Sequence, residues 1–414
     1  MSTTALKNIL FISYDGMTDP LGQSQVLPYL QGLSLYGYNI FLLSCEKKEA
    51  FAKNKSLVNK IIEGYNIKWI TLPYTKKPPV LSTVIDIYKL KKAAKQIQLQ
   101  HKIDMVHTRP GIPALVGLWM KNKLGVKFLN DIREFYADSR VEGGMWNKKN
   151  YLYKKVYTYF KKQEAEQVKK SDGIVCLTYA AEKIIQQWPE YDAKIPLKVI
   201  PCSVDIDLFN PDNLEKNLVQ QFKTPLKINK DDLIISYLGS IGGWYLTAEM
   251  MEFCKLLSEK IPAAKFLFIS PHRHDQIIQT AAKFNLQADK IITVQAKRNE
   301  VPALLSLSKY SLFFIKPCYS KLSSSPTKHG EIMAMGIPVI TNSGVGDVSN
   351  IVEKYNAGFI VNDFSEQSFI SVVNAISENN NFDFKNIRQG AVEFYALKNA
   401  VLSYIDIYNK ILNT

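Results

Sequence analysis

Short, uninterrupted apolar runs alternate with helix-length stretches along nearly the whole chain, and this alternation restricts its fold more than any other feature. NILFIS (8–13), NIFLLS (39–44), IKWITL (67–72), DMVH (104–107), VKFLND (126–131), GIVCLT (173–178) and KVIP (198–201) read as strands. Stretches such as 23–36, 84–100 and 112–124 have helical length and spacing. Strands that are apolar throughout are buried on both faces, and the β-α order makes a parallel, doubly wound sheet. The pattern breaks at a polar stretch, 210–232. It restarts with DLIISYLG (232–239), AKFLFIS (264–270), KIITV (290–294), SLFFI (311–315), GIPVIT (336–341) and AGFIV (357–361). The expectation is an α/β chain of two Rossmann-like, doubly wound domains, 1–205 and 206–388, hinged near 205–230. A C-terminal helical segment, 389–414, is expected to pack back across the hinge.

The 414 residues leave room for two such domains, and 46% hydrophobic with 22% charged residues is a globular composition, not a disordered one. The formal charge is +14, and it is placed unevenly. Residues 1–200 carry 31 basic and 17 acidic side chains, whereas 201–414 carry 21 of each. One half therefore holds the whole excess, which suggests different partners for the two halves. Five scattered cysteines, none in a CxxC pair, fit a reduced cytoplasmic chain rather than a disulfide scaffold. The N-terminal apolar run of about six residues is too short for a signal-peptide core, and no run approaches the ~18 residues of a membrane span.

The most informative stretch is SSSPTKHGEIMAMGIPVITNSGVGD (323–347). Ser325 followed by Pro326 reads as N-cap and first residue of a helix that runs through Met335 and stops at Gly336. Such a helix start presents unpaired backbone amides and a positive dipole end to an anion such as a diphosphate. Lys328 in the first turn opposes that dipole unless an anion is bound. Glu331, one turn on, can accept hydrogen bonds from ribose hydroxyls. The plain alternative is an ordinary capped surface helix.

The pattern P-T-K-x-x-E-x-x-A-x-G-x-P-V in this stretch is similar to the donor site of glycosyltransferase family 4, retaining group 1 enzymes of the GT-B fold. Four further segments resemble the family in the same order: YDGMTDPLGQSQVLPYL (14–30), NDIREFYADSRVEGGMW (130–146), VIPCSVDIDLFNP (199–211) and YLGSIGGWY (237–245). The resemblance spans essentially the whole chain. It implies a GT-B fold whose two domains face an interdomain cleft, the first taking the acceptor and the second the nucleotide-sugar donor. On the donor side it points to Gly22, Gly239, Ser240, Lys316, Lys321, Ser325, Thr327, Lys328 and Glu331. On the acceptor side it points to Asp19, Gln23, Arg133, Asp138 and Arg140. His107 and Arg109 in DMVHTRP stand where the family often reads H-x-H, and with Lys328 they are the catalytic candidates. Glu331 matches the second glutamate of the family's E-x7-E pair. The first is replaced by Ser323, which removes the usual basis for naming the sugar. The family's diphosphate-holding Arg and Lys are missing from GSIGGWYLTAEM, which leaves Lys316, Lys321 and Lys328 to supply that charge.

Other features read more plainly. Asp205 and Asp207 form a D-x-D within the hinge signature, where two carboxylates on a turn are solvated rather than metal-binding. His272 and His274 have no Cys or carboxylate at zinc spacing. Gly22 can admit a ligand or simply serve a turn, and His107 can equally be a satisfied core histidine. NKKNYLYKKVYTYFKKQEAEQVKK (147–170) interleaves lysines with Tyr151, Tyr153, Tyr157 and Phe160 at helical spacing. It reads either as a solvated helix with inward aromatics or as a contact for an anionic membrane; no nucleic-acid module accompanies it.

The expected activity is that of a retaining, metal-independent, hexosyltransferase-type enzyme without a cofactor. It would move sugar from a nucleotide-sugar to a sugar, polysaccharide or lipid-linked hydroxyl acceptor in envelope glycan or polysaccharide biosynthesis. The expected location is cytoplasmic, with a peripheral position on the inner face of the membrane left open. A sugar-nucleotide epimerase, a phosphorylase or an inactive partner subunit on the same fold are the rivals.

Overall fold

A computed structural model of the chain describes residues 6–78, 80–378 and 381–413. The chain falls into two compact units, one made of residues up to Pro201 together with those from Leu397 on, the other of Cys202–Ala396.

The first unit is built on seven strands: β1 (Lys7–Ser13), β2 (Tyr38–Glu46), β3 (Ile67–Pro73), β4 (Met105–Thr108), β5 (Lys127–Ile132), β6 (Gly173–Cys176) and β7 (Leu197–Val199). They pair in the order β3-β2-β1-β4-β5-β6-β7, and every pairing is parallel. Ile9 to Ser13 are all buried, as continuous apolar strands require. One face is covered by helices Leu27–Ser34 and Leu397–Leu412, the other by Leu81–His101, Ile112–Leu124 and part of Tyr151–Lys170. The order of the strands reverses between β1 and β4, so the loops after Ser13 and after Thr108 frame the crevice where open α/β sheets bind ligands.

The second unit carries β8 (Leu233–Leu238), β9 (Ala264–Ile269), β10 (Ile291–Val294), β11 (Tyr310–Phe313), β12 (Val339–Asn342) and β13 (Gly358–Val361). They too are parallel, in the order β10-β9-β8-β11-β12-β13. The reversal falls between β8 and β11, which places the loops after Leu238 and after Phe313 at the switch point.

The unit boundaries differ from the expected ones. Val204 donates its amide to Tyr395 O (2.7 Å) and pairs with Ala396, so residues 202–205 belong with the second unit. The periodic segment 389–412 is two helices, Phe384–Tyr395 and Leu397–Leu412, broken at Ala396, whose backbone is extended. The first packs on the Thr327–Ala334 helix of the second unit; the second supplies Tyr404, Tyr408 and Ile411 to the core of the first.

Candidate functional site

In the second unit, the helix of the 323–347 stretch spans Thr327–Ala334, with Pro326 at its N-cap. Ser325 does not cap it; its hydroxyl accepts the Cys202 amide (3.2 Å). Thr327 is the first helical residue. At the other end the amides of Gly336 and Ile337 return to Met333 O and Ile332 O, closing the last turn as expected of a Gly-terminated helix.

Lys328 is buried, and its ammonium lies over two aromatic rings, 4.3 Å from the centroid of Tyr237 and 3.8 Å from that of Tyr245. It donates to Tyr237 Oη (3.3 Å). Gly239 has φ of +112°, a backbone state open to glycine, and a Cβ there would stand 3.2 Å from the Lys328 ammonium. The first residue after β8 therefore passes directly over the lysine. Burial pushes Lys328 down to about 7, with Glu331 pulling the other way. A lysine in that range sits ready to become fully charged when an anion arrives.

Glu331 is 6% exposed, and its Oε1 accepts from Arg298 Nη1 at 2.8 Å. Arg298 comes from the loop after β10 and also lies over the ring of Phe209, 5.2 Å from its centroid. The Gly239–Tyr245 loop, which has no cation of its own, receives them from elsewhere. Lys321 stacks on Trp244 (3.7 Å) and Arg273 Nη1 donates to Ile241 O (3.3 Å), whereas Lys316 meets the loop through its backbone amide, which donates to Trp244 O (2.9 Å). Ser240 accepts from Tyr237 Oη through its carbonyl. At the position of the absent glutamate, Ser323 is buried and donates to Ser320 O (2.7 Å). The sequence thus brings Gly239, Lys321, Lys328 and Glu331 to one switch point. Arg298 and Arg273 were missed because no local pattern marks either.

The first unit gives a different picture. His107 is 1% exposed; Nδ1 meets Tyr408 Oη at 2.7 Å and Nε2 meets Asp131 Oδ2 at 3.3 Å. Asp131 also accepts from Tyr404 (2.8 Å) and lies 3.5 Å from Arg133 Nη1, which in turn reaches Tyr404 Oη (3.2 Å). Burial favours a neutral His107, and the chain keeps it so despite Asp131. Burial would raise the Asp131 carboxyl, but Arg133 and His107 outweigh it and hold it at about 2. Both ring nitrogens of His107 are engaged inside the core, and Arg133 belongs to the same buried network, in which Asp131 Oδ1 has no partner among the described residues.

Arg109 stays nearer the switch point: Nη1 donates to Gln25 O (3.4 Å) and Nε lies 3.8 Å from exposed Asp15. Asp138 accepts from Tyr157 (2.8 Å) and Lys161 (2.9 Å), tying helix Tyr136–Glu142 to Tyr151–Lys170. Arg140 stacks on Tyr136 (4.3 Å) and pairs with Glu134 (3.2 Å). Asp19 pairs with Lys47 (2.7 Å), and Gln23 donates to Thr18 O (3.3 Å). At Gly22 a Cβ would fall 2.4 Å from Gly16 O, so the close approach of the loop backbone requires glycine. The residue that shapes this loop is Glu46, which accepts the amides of Met17 (2.8 Å) and Thr18 (3.2 Å). In the basic helix, Phe160 is 7% exposed and Tyr157 is tied to Asp138, which leaves Tyr151 as an outward aromatic of the expected set.

Residues 219–391 match the sequence model of the family described as glycosyl transferases group 1, which supports a glycosyltransferase. Solved structures of the GT-B fold match the whole chain. A sucrose-phosphate synthase from Thermosynechococcus elongatus does so with a TM-score of 0.76 at 14% identity, covering 98% of this chain and 99% of that one. HepE from Anabaena, solved in complex with UDP and glucose, gives 0.70 at 12%, covering 97% and 99%. WaaG, a glycosyltransferase involved in lipopolysaccharide biosynthesis, gives 0.63 at 14%, covering 98% of both. No curated protein sequence matches the chain. No helix among the described residues is long and apolar enough to cross a membrane.

Proposed function

We propose that this chain is a group 1 glycosyltransferase that moves a sugar from a nucleoside-diphosphate sugar to a hydroxyl acceptor, with retention at the anomeric carbon. The observation that carries this reading is the convergence of Lys328, Glu331 and Gly239 at the β8/β11 switch point, within the segment that matches the family. Leaving-group stabilisation supplies the chemistry. Lys328 and the amides at the start of its helix offset the charge that builds on the diphosphate as the sugar–oxygen bond breaks. Lys321 and Arg273, already at the glycine loop, add positive potential. Glu331, oriented by Arg298, takes the ribose hydroxyls. Fixed cations in these places do the work of a metal ion, so no metal is assigned. HepE's complex with UDP and glucose makes uridine diphosphate sugars the first donors to test.

The acceptor falls to the first unit, as a sugar, a polysaccharide or a lipid-linked glycan of envelope or polysaccharide synthesis, with Arg109 a basic group near its switch point. The buried Ser323 favours one second reading, an inactive partner subunit that has lost the sugar contact. A thermal-shift screen of UDP- and GDP-sugars tests both readings, because a ligand that binds only the native state raises its stability by about 2.7 kcal/mol at a hundred times Kd. Stabilisation by one donor class, followed by transfer to an added acceptor, supports the transferase. Donor turned over without release of its sugar points to an epimerase, and no stabilisation by any nucleotide sugar overturns the donor site.

A further inference from the structure

The helix Leu81–His101 turns Ser82, Asp86, Leu90, Ala94 and Ile97 into the core of the first unit. Its opposite face is unusual. Leu81 (56% exposed), Val84 (56%), Ile85 (38%) and Tyr88 (68%) stand in solvent at the i, i+3, i+4, i+7 spacing of a single stripe. Lys92 and Lys95 continue the exposed face, and Lys76 and Lys77 are exposed just before the helix begins. Between Tyr74 and Lys102 there are six lysines and one carboxylate, Asp86. That carboxylate is buried and bonded to Tyr14 (3.0 Å), Thr75 (2.6 Å) and Lys89 (3.1 Å), so it offers nothing to the surface.

We infer that this face of the Leu81–His101 helix docks in the interface of an anionic lipid bilayer, with the apolar stripe among the acyl chains and the lysines at the headgroups. An apolar stripe already facing away from the core gains nothing for folding, and exposed apolar patches of this kind mark contact surfaces. The charge around it selects the partner. A second copy of the chain is disfavoured, because a two-fold interface would bring two sets of these lysines into one seam with no exposed carboxylate of the helix to offset them. An anionic leaflet supplies the opposite sign along the whole helix, and lysines beside an apolar face are the usual composition of an interfacial helix. The inference names where a lipid-linked acceptor would be met, and only in that respect does it rest on the function proposed above.

Sedimentation of the full-length protein with vesicles tests it. The protein should pellet with phosphatidylcholine vesicles containing phosphatidylglycerol, not with phosphatidylcholine alone, and should be released at high salt, where the Debye length falls from ~10 Å to ~3 Å. Ile85→Ser with Tyr88→Ser, and separately Lys92→Glu with Lys95→Glu, should each lower binding about tenfold or more while thermal unfolding and nucleotide binding stay as in the wild type. Tyr151→Ser with Leu152→Ser, on the other basic helix, should leave most binding in place. Equal binding to neutral vesicles, no binding at low salt, insensitivity to the Ile85/Tyr88 pair, or a dimer that this pair dissolves would each overturn docking. Because nucleotide binding is read in parallel, loss of the donor-site reading shows separately.

Discussion

Arg298 holds Glu331 by one carboxylate oxygen, Nη1 to Oε1 at 2.8 Å, from a loop thirty-three residues away in sequence. The glutamate is nearly buried and the arginine about half exposed, so the carboxylate is oriented from its solvent side. A carboxylate fixed in this way presents a defined geometry to a pair of ribose hydroxyls, which is the condition for positioning a donor.

Removing that support should weaken donor binding more than it slows chemistry. Arg298→Ala is expected to raise the donor KM about tenfold, the equivalent of one charge-assisted hydrogen bond, with kcat changing less. Arg298→Lys should recover part of the loss. Glu331→Ala should weaken nucleotide binding at least as much. Steady-state kinetics with donor varied provides the check, and wild-type KM in both alanine variants would show the donor site misplaced.

Lys328 should act on turnover. Lys328→Ala removes a cation aimed at the leaving diphosphate and is expected to lower kcat about 100-fold or more, as loss of an electrostatic stabiliser does. A folded variant with unchanged kcat would remove Lys328 from the chemistry.

The same lysine predicts a proton uptake. Its folded-state position near 7 means that at pH 8 the free protein holds it mostly neutral, and a bound diphosphate then favours the charged form. Calorimetry of nucleoside diphosphate binding at pH 8, in buffers of different ionisation enthalpy, should show uptake approaching one proton. The uptake should vanish near pH 5.5, where the lysine is already charged, and be missing from Lys328→Met at either pH.

Asp131 should matter for stability. Asp131→Ala leaves Arg133 buried without its carboxylate and removes partners of His107 and Tyr404, so it is expected to cost about 3–5 kcal/mol. Urea unfolding reads the change. A loss below ~1 kcal/mol would mean the network is dispensable.

Metal independence is the last expectation. Lys328, Lys321 and Arg273 stand around the glycine loop as fixed cations, and Asp205 Oδ1 is taken up by the amides of Asp207 (3.1 Å) and Leu208 (2.9 Å). If those cations carry the diphosphate charge, transfer should survive excess EDTA, and Asp207→Asn should leave turnover nearly intact. Activity abolished by chelator and restored by Mg2+ or Mn2+ would refute this.

The strands were legible because their burial on both faces writes itself into consecutive residues, as in Asn8–Ser13 against the observed Lys7–Ser13. The Lys328 helix was legible from its Pro at one end and Gly at the other, to within a residue. Side-chain roles were harder. The partners of His107 could not be read ahead, because Tyr404 and Tyr408 lie some three hundred residues away and come from a helix whose period says only that one face is apolar. The motif around Asp138 does not announce the tyrosine and lysine that bond it, because those are set by helix packing. Arg298 left no trace at all, since an exposed arginine in a loop is commonplace until a buried glutamate is placed beside it. The alternating apolar pattern encodes where the chain is buried; the pairing of polar groups across loops is decided only once the fold exists.

The two ends of the chain share one unit, and this orders its assembly in time. As synthesis proceeds, the first two hundred residues emerge with the surface that will receive Tyr404, Tyr408 and Ile411 still uncovered. Cys202–Ala396 is contiguous and can close as soon as it clears the ribosome. The usual sequence is thus inverted, with the domain translated first completed last.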